Sequence, residues 1–190
     1  MKHDAMERIR VHVVARDDFA AVEASLAEII ADGVNGGAAI SFMQPYSHDD
    51  GLRFWREKVF PDVASGRRVL FVAYVDGAVV GTVQMDIAPP PNQAHRCEVA
   101  KMIVHSRARR RGVARRLMLA LEAHARSIGK TLITLDTRTG DKAESLYGSL
   151  GFRAAGVIPH YAYDPDGRAR HGTTYMYKEI GPGIAAPSPA

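Results

Sequence analysis

Apolar positions along this chain alternate between two spacings, and the changes of spacing mark its elements. The β-branched run at 9–14 predicts a first strand. Phe19, Val22, Leu26, Ile29 and Ile30 then recur every three or four residues. They predict an amphipathic helix, capped by Asp17 or Asp18 and ended at Asp32-Gly33. Asn35-Gly36-Gly37 opens a loop through Phe42, Met43 and Tyr46 that is too apolar for a solvated connection, so it is expected to cover something. Ser47 precedes a second helix with Leu52, Trp55, Val59 and Phe60 on one side, interrupted at Pro61 and ended at Gly66. Trp55 is assigned to the core.

The runs at 68–75 and 78–87 flank Asp76-Gly77, which predicts a hairpin of two antiparallel strands. Residues 89–92 form a stiff Pro-rich connection, and 96–104 is apolar on both faces, as a central strand is. Val113, Leu117, Ala120, Leu121, His124, Ala125 and Ile128 keep a helical period up to Gly129, and 131–137 is again β-rich. Strand, helix and strand at this spacing make a right-handed βαβ unit with parallel strands. A short helix at 141–150, a strand near 152–158, a turn at 164–167 and a last strand near 173–180 follow. The pattern describes one mixed α/β (α+β) domain over 1–180, and the Pro- and Ala-rich 181–190 reads as a disordered tail.

Length and composition agree with that reading: 190 residues, 46% hydrophobic and 24% charged, are ordinary for a soluble globular chain. The net charge of +4 is smaller than the charge of one stretch, where Arg107, Arg109, Arg110, Arg111, Arg115 and Arg116 crowd together. Set between a strand and a helix N-terminus, that stretch presents unpaired backbone N–H groups and positive charge to an anion, with a phosphate-bearing ligand the first candidate. On charge alone, a solvated helix start or a nucleic-acid patch explains it equally well. The single cysteine, Cys97, excludes an intrachain disulfide and a cysteine-cluster zinc site, and fits a reducing compartment. His95, His105, His160 and His171 lack metal-ligand spacing, so no metal is expected. The polar N-terminus is unlike a signal peptide and no run is long enough to span a bilayer, which makes the cytoplasm the expected location.

Gly112 stands without the partner glycines of a dinucleotide fingerprint, and no Gly-Lys-Ser/Thr follows. What remains, Arg/Gln-x-x-Gly-x-Gly/Ala between strand and helix, resembles the pyrophosphate loop of the GNAT superfamily of N-acetyltransferases. Ala143-Glu144-Ser145-Leu146-Tyr147 with Leu150-Gly151-Phe152 is similar to that superfamily's Leu-Tyr…Leu-Gly-Phe helix. The segments 34–38 with Phe42-Met43, 98–102, 135–137, 159–161 and 165–168 resemble the tabtoxin-resistance acetyltransferase subgroup. The resemblance covers most of the chain. It implies a mixed, twisted sheet with helices on both faces, splayed between its two parallel strands, with acetyl-CoA in the splay as acetyl donor. In this reading the donor meets backbone at Met102, Ile103 and Val104, the loop residues Arg109, Arg110, Arg111 and Gly112, the helix start Val113, Ala114 and Arg115, and Tyr147. One departure is Gly140, where the superfamily often has an Asn that contacts the pantetheine arm.

The chemistry constrains further roles. An acceptor amine is protonated near neutral pH and needs a base before it can attack a thioester. Glu98 and Asp136, on the two parallel strands, are the candidates, and either one is also readable as an ordinary strand-end carboxylate, solvated or paired with an arginine. The tetrahedral intermediate carries an oxyanion that unpaired N–H groups at 102–104 would hold, by resemblance. Tyr147, a phenol with an ordinary pKa near 10, suits protonation of the departing thiolate, against the plainer role of a packed helix tyrosine. Phe42, Met43, Tyr161, Glu98 and Asp136 are the expected acceptor-binding residues, with Tyr46 and Tyr163 as further wall candidates; for Phe42, Tyr46, Tyr161 and Tyr163 core or dimer packing is equally open. The expected partner is a small-molecule amine, amino-acid-like or a toxin, with no nucleic acid and no membrane, in a monomer or homodimer. A protein or peptide acetyltransferase and a non-catalytic CoA-binding module are the competing readings.

Overall fold

The computed structural model describes residues 9–181. Of the expected tail at 181–190, residues 182–190 lie outside the described residues, as do the polar residues 1–8. Seven strands form one sheet: β1 (Ile9–Val13), β2 (Arg68–Val75), β3 (Ala78–Asp86), β4 (Arg96–Val104), β5 (Leu132–Arg138), β6 (Arg153–Tyr163) and β7 (Arg170–Glu179). Their spatial order is β1-β2-β3-β4-β5-β7-β6, and only β4 and β5 pair in parallel. The expected hairpin is β2–β3, where Asp76 and Gly77 both take positive φ (52° and 83°), as a tight two-residue turn requires.

Helices cover both faces. On one side, α1 (Phe19–Asn35) lies beside a segment built from α2 (His48–Phe54), a π-helical turn (Trp55–Val59) and α3 (Phe60–Ala64). They bury Leu26, Ile29, Ile30 and Trp55 completely against one face of the sheet, with Leu70, Val72, Val79 and Ile103, and with Val22 next to them. On the other side, α4 (Val113–Ser127) and α5 (Lys142–Ser149) close over Phe71, Met85 and Ile133 of the sheet, with Leu117 and Leu121 of α4 buried among them. Each fully buried aliphatic or aromatic side chain of this kind contributes roughly 1.5–3 kcal/mol. Two cores therefore grip one sheet.

Two local expectations change. Asp32-Gly33 does not end the first helix, which continues to Asn35. Gly33 sits inside it because a Cβ there would come within 3.1 Å of Ile103 Cγ2, so the glycine serves the close approach of α1 to β4. Pro61 does not break the second helical segment either. It occupies the first turn of α3, where a missing N–H costs nothing, and the wider π turn before it absorbs the change of register. Ser47, which precedes α2, caps it: its Oγ accepts from the Asp50 N–H at 3.0 Å, and its own N–H donates to the Asp50 carboxylate at 3.0 Å.

Candidate active site

β4 and β5 pair through only three positions: Arg96 with Leu132, Cys97 with Ile133 and Glu98 with Thr134. Past Glu98 the two strands diverge, and the edge of β4 facing β5 has no strand partner. The resulting gap, at the C-terminal ends of the parallel strands, is a cleft of about 300 Å³. Glu98 to Met102 wall one side, Asp136 to Arg138 the other; Ala38 to Ser41 and Tyr147 complete it.

The wall from β4 is not a regular strand. Its pairing with β3 steps from Gln84↔Ala100 to Thr82↔Ile103, so Lys101 and Met102 together oppose Val83, and Lys101 takes φ 49°. This bulge reverses the alternation of faces. Cys97 and Val99 point into the α4-side core, yet beyond the bulge Met102 and Val104 do so and Ile103 joins the opposite core.

The basic turn delivers the start of α4 to the same strand end. Arg110 and Gly112 take left-handed backbone, φ 62° and 89°, and Gly112 stands at the N-cap without a capping side chain. The first-turn N–H groups are thus left for an outside acceptor. Val113 is 1% exposed and pins the helix start to the core. The guanidinium groups are less free than the sequence suggests. Arg107 pairs with Glu28 (2.9 Å), Arg109 with Asp32 (3.8 Å) and Arg111 with Asp76 (3.8 Å). Arg115 donates to Ser149 Oγ at 2.6 Å, and Arg109 Nε to the Val104 carbonyl at 3.2 Å. With three of six charges answered by carboxylates, the patch is a positioned turn rather than an open basic surface.

The extension of α1 explains part of this positioning. Asp32 accepts from Ser106 N–H at 2.8 Å and from Ser106 Oγ at 2.7 Å, tying the end of α1 to the start of the basic turn. Burial pushes the Asp32 carboxyl up, but the Ser106 hydrogen bonds, with the charges of His105 and Arg109, outweigh it and hold it below the ordinary carboxylate range.

Glu98 and Asp136 both line the cleft. Glu98 is bridged to Arg96 at 3.1 Å, which realises the paired state that the sequence left open. Asp136 also lines a second cavity of about 250 Å³, walled by Phe42, Met43, Tyr161, Tyr163 and His171. The expected acceptor residues Phe42, Met43 and Tyr161 therefore meet at Asp136. Tyr46 does not join them; it packs on Phe42 and donates to the Asp50 carbonyl at 3.2 Å, holding the loop to α2. Tyr147 is 5% exposed, its ring 5.8 Å from Phe152, and it lines the cleft beside Asp136 and Asp141. Burial pushes its phenol well above the ordinary value, and the two aspartate charges push it further, so it holds its proton throughout the neutral range.

Three contributors escape sequence reasoning: Lys101, Ser41 and Tyr175. Lys101 Nζ approaches Ser41 Oγ at 3.1 Å and lies 5.3 Å from the Phe42 ring centre. Burial lowers its pKa, the Asp136 charge draws it back up and Arg68 lowers it again. Tyr175 donates to Tyr161 Oη at 3.1 Å, a bond that pushes the Tyr175 phenol up to about 12 with help from the charges of Asp136 and Glu98. Only strand register, Asp136 opposite Tyr175, brings these residues together. Gly140 takes φ 77° and donates to Glu144 Oε2 at 2.7 Å, so the position is a left-handed turn that Gly or Asn fills most readily.

Residues 39–152 match the model of the acetyltransferase (GNAT) family. The chain belongs to that family. The GNAT match spans the cleft, the basic turn, α4 and α5. An N-acetyltransferase encoded in the hisH–hisA intergenic region of Azospirillum brasilense is 32% identical over 117 residues, 60% of this chain and 66% of that protein. The alignment thus spans slightly less than two thirds of that relative's length. A GCN5-related N-acetyltransferase from Kribbella flavida is similar in structure, with a TM-score of 0.72 and 24% identity over 92% of this chain and 99% of the other. The yncA protein of Salmonella typhimurium, solved with its cofactor acetyl-CoA, gives a TM-score of 0.71 and 18% identity over 95% and 98%. At these identities the structural likeness establishes the GNAT fold. Among the described residues no helix is long and apolar enough to cross a membrane, and no group of three or more His, Cys, Asp or Glu is placed to hold a metal ion.

Proposed function

We propose that this GNAT chain transfers the acetyl group of acetyl-CoA to the primary amine of a small molecule, in the manner of the tabtoxin-resistance type, in the cytoplasm. The observation that carries the reading is the cleft itself. An uncapped helix N-terminus stands at the open end of two diverging parallel strands, and two carboxylates and a buried phenol face the gap between them. The residues fit the donor: the N–H groups of Val113, Ala114 and Arg115 suit a pyrophosphate, and the free edge of β4 at Met102 to Val104 suits an extended amide-bearing arm. When bound, acetyl-CoA supplies an activated acetyl group. In this reading Asp136, which lines both cavities, takes a proton from an acceptor ammonium, and Glu98 assists directly or through water. Tyr147 keeps a proton at Oη for a departing thiolate. The walls formed by Phe42, Met43 and Tyr161 favour a small acceptor over a folded protein surface.

Calorimetry with acetyl-CoA tests the donor, and an acetylation screen read by thiol release tests the acceptor. Micromolar donor binding with turnover of small amines is the expected result. Failure to bind acetyl-CoA overturns the reading; turnover of peptides alone replaces it with a protein acetyltransferase, and donor binding with no turnover with a CoA-binding module.

A further inference from the structure

The cleft is lined by two basic side chains, and they are not equivalent. Arg138 is committed to Asp164 at 3.0 Å. Lys101 forms no ion pair with a carboxylate among the described residues. Its Nζ has one hydrogen-bond partner, Ser41 Oγ, and rests against Phe42. An ammonium has three donors, so the contacts present leave part of its capacity unused, and a cation drawn from water costs free energy unless paired.

The backbone shows that this placement is maintained against local cost. Lys101 has φ 49° and Ser41 φ 73°, both left-handed in residues other than glycine. Such conformations cost roughly 1–2 kcal/mol each and persist where the surroundings over-determine them. Here the two strained residues are hydrogen-bonded to each other across the cleft wall, one on the β4 bulge and one on the apolar loop. The bulge gives Lys101 its position: regular pairing would carry the alternation of faces straight through β4.

We propose that Lys101 binds an oxyanion of the acceptor, so that the substrate is an amine carrying its own carboxylate or equivalent acid group. The inference rests on the acetyltransferase reading above. Asp136 and Glu98 form the negative pole that receives the ammonium, and Lys101 on the same cleft forms the positive pole. A zwitterion satisfies both poles at once, and an anion beside Lys101 restores the charge that burial disfavours. A neutral analogue leaves the Lys101 donors unpaired, which is how a site built around a polar group rejects a ligand lacking it.

The test compares L-amino acids with their carboxamides as acceptors, in the full chain and in Lys101→Met and Lys101→Arg variants, with acetyl-CoA affinity as the control for folding. The wild type is expected to favour the carboxylate by about 10-fold or more in kcat/KM. Lys101→Met should bring that ratio towards unity, chiefly through KM for the acid, and Lys101→Arg should restore part of it. The inference is overturned if the wild type turns over neutral amines as well as acids. It is also overturned if the ratio survives in a Lys101→Met protein that still binds acetyl-CoA, or if neither variant binds acetyl-CoA, which would make Lys101 a structural residue. No turnover with any small amine defeats the acetyltransferase reading, and this inference with it.

Discussion

Replacing Tyr147 with Phe removes one atom from the cleft and leaves the ring in place. The ring is almost fully buried and packs on Phe152 and the α4-side core, contacts that Phe retains. No protein hydrogen bond to Tyr147 Oη is found among the described residues, so folding stability should change by no more than about 1 kcal/mol. The rate should change much more. Proton donation by a positioned side chain is worth about 100- to 10,000-fold. Burial and the charges of Asp136 and Asp141 raise this phenol above its ordinary value, which weakens it as a donor to a thiolate with a pKa near 8.5. The effect therefore belongs at the lower end, about 100-fold in kcat, or roughly 2.7 kcal/mol of barrier. A raised phenol pKa means the donor form is complete below about pH 10 and is lost only as pH climbs beyond it. Neither protein should show an alkaline limb from this group near neutrality. Steady-state thiol release across pH 6–9, with thermal melts of both proteins, measures all of this. A Tyr147→Phe rate within about threefold of wild type at unchanged melting temperature would refute a proton-donor role.

Gly112→Ala places a Cβ on a residue at φ 89°, costing about 1–2 kcal/mol and disturbing the start of α4; calorimetry should show acetyl-CoA affinity falling roughly tenfold, beyond any loss of stability. Asp32→Ala leaves Ser106 N–H and Oγ without their acceptor and should cost about 1–3 kcal/mol at pH 7. Because the folded carboxyl is held low, its contribution is present above its unfolded value near 4 and disappears as pH falls further. Urea melts of the two proteins should therefore converge towards pH 3. Cys97 is fully buried and its thiol is pushed up to about 11 by desolvation, so iodoacetamide at pH 8 should label the native protein at least about 100-fold more slowly than the unfolded chain. Stoichiometric labelling of native protein within minutes would contradict that burial.

The sequence made the order of elements readable because most of them carry a strong period. Val113 to Ala125 repeats at helical spacing, and Asp76-Gly77 selects one turn geometry. The cleft was legible where its surroundings sit in local motifs, as in the turn that ends at the Gly112 N-cap and the helix that brings Tyr147 to the cleft wall. It was not legible where the third dimension decides. Tyr175 reaches Tyr161 only through the β6–β7 register, and Lys101 meets Ser41 across sixty positions of chain. The arginine-rich turn misled in magnitude, since its partners Glu28, Asp32 and Asp76 come from elements far upstream. Gly33 misled as a stop signal, because glycine serves close packing as readily as termination.

The bulge at Lys101 also gives the two halves of β4 different side-chain phases. Glu98 and Ala100, ahead of it, line the cleft with Asp136 and the cover loop, as Met102 still does, whereas Val104 beyond it accepts from Arg109 of the basic turn. On the proposed function, this reset of side-chain phase should let substitutions ahead of the kink alter acceptor choice without re-aiming the strand edge assigned to the donor. One extra residue in a strand would thus make acceptor choice a separable trait, open to divergence or redesign.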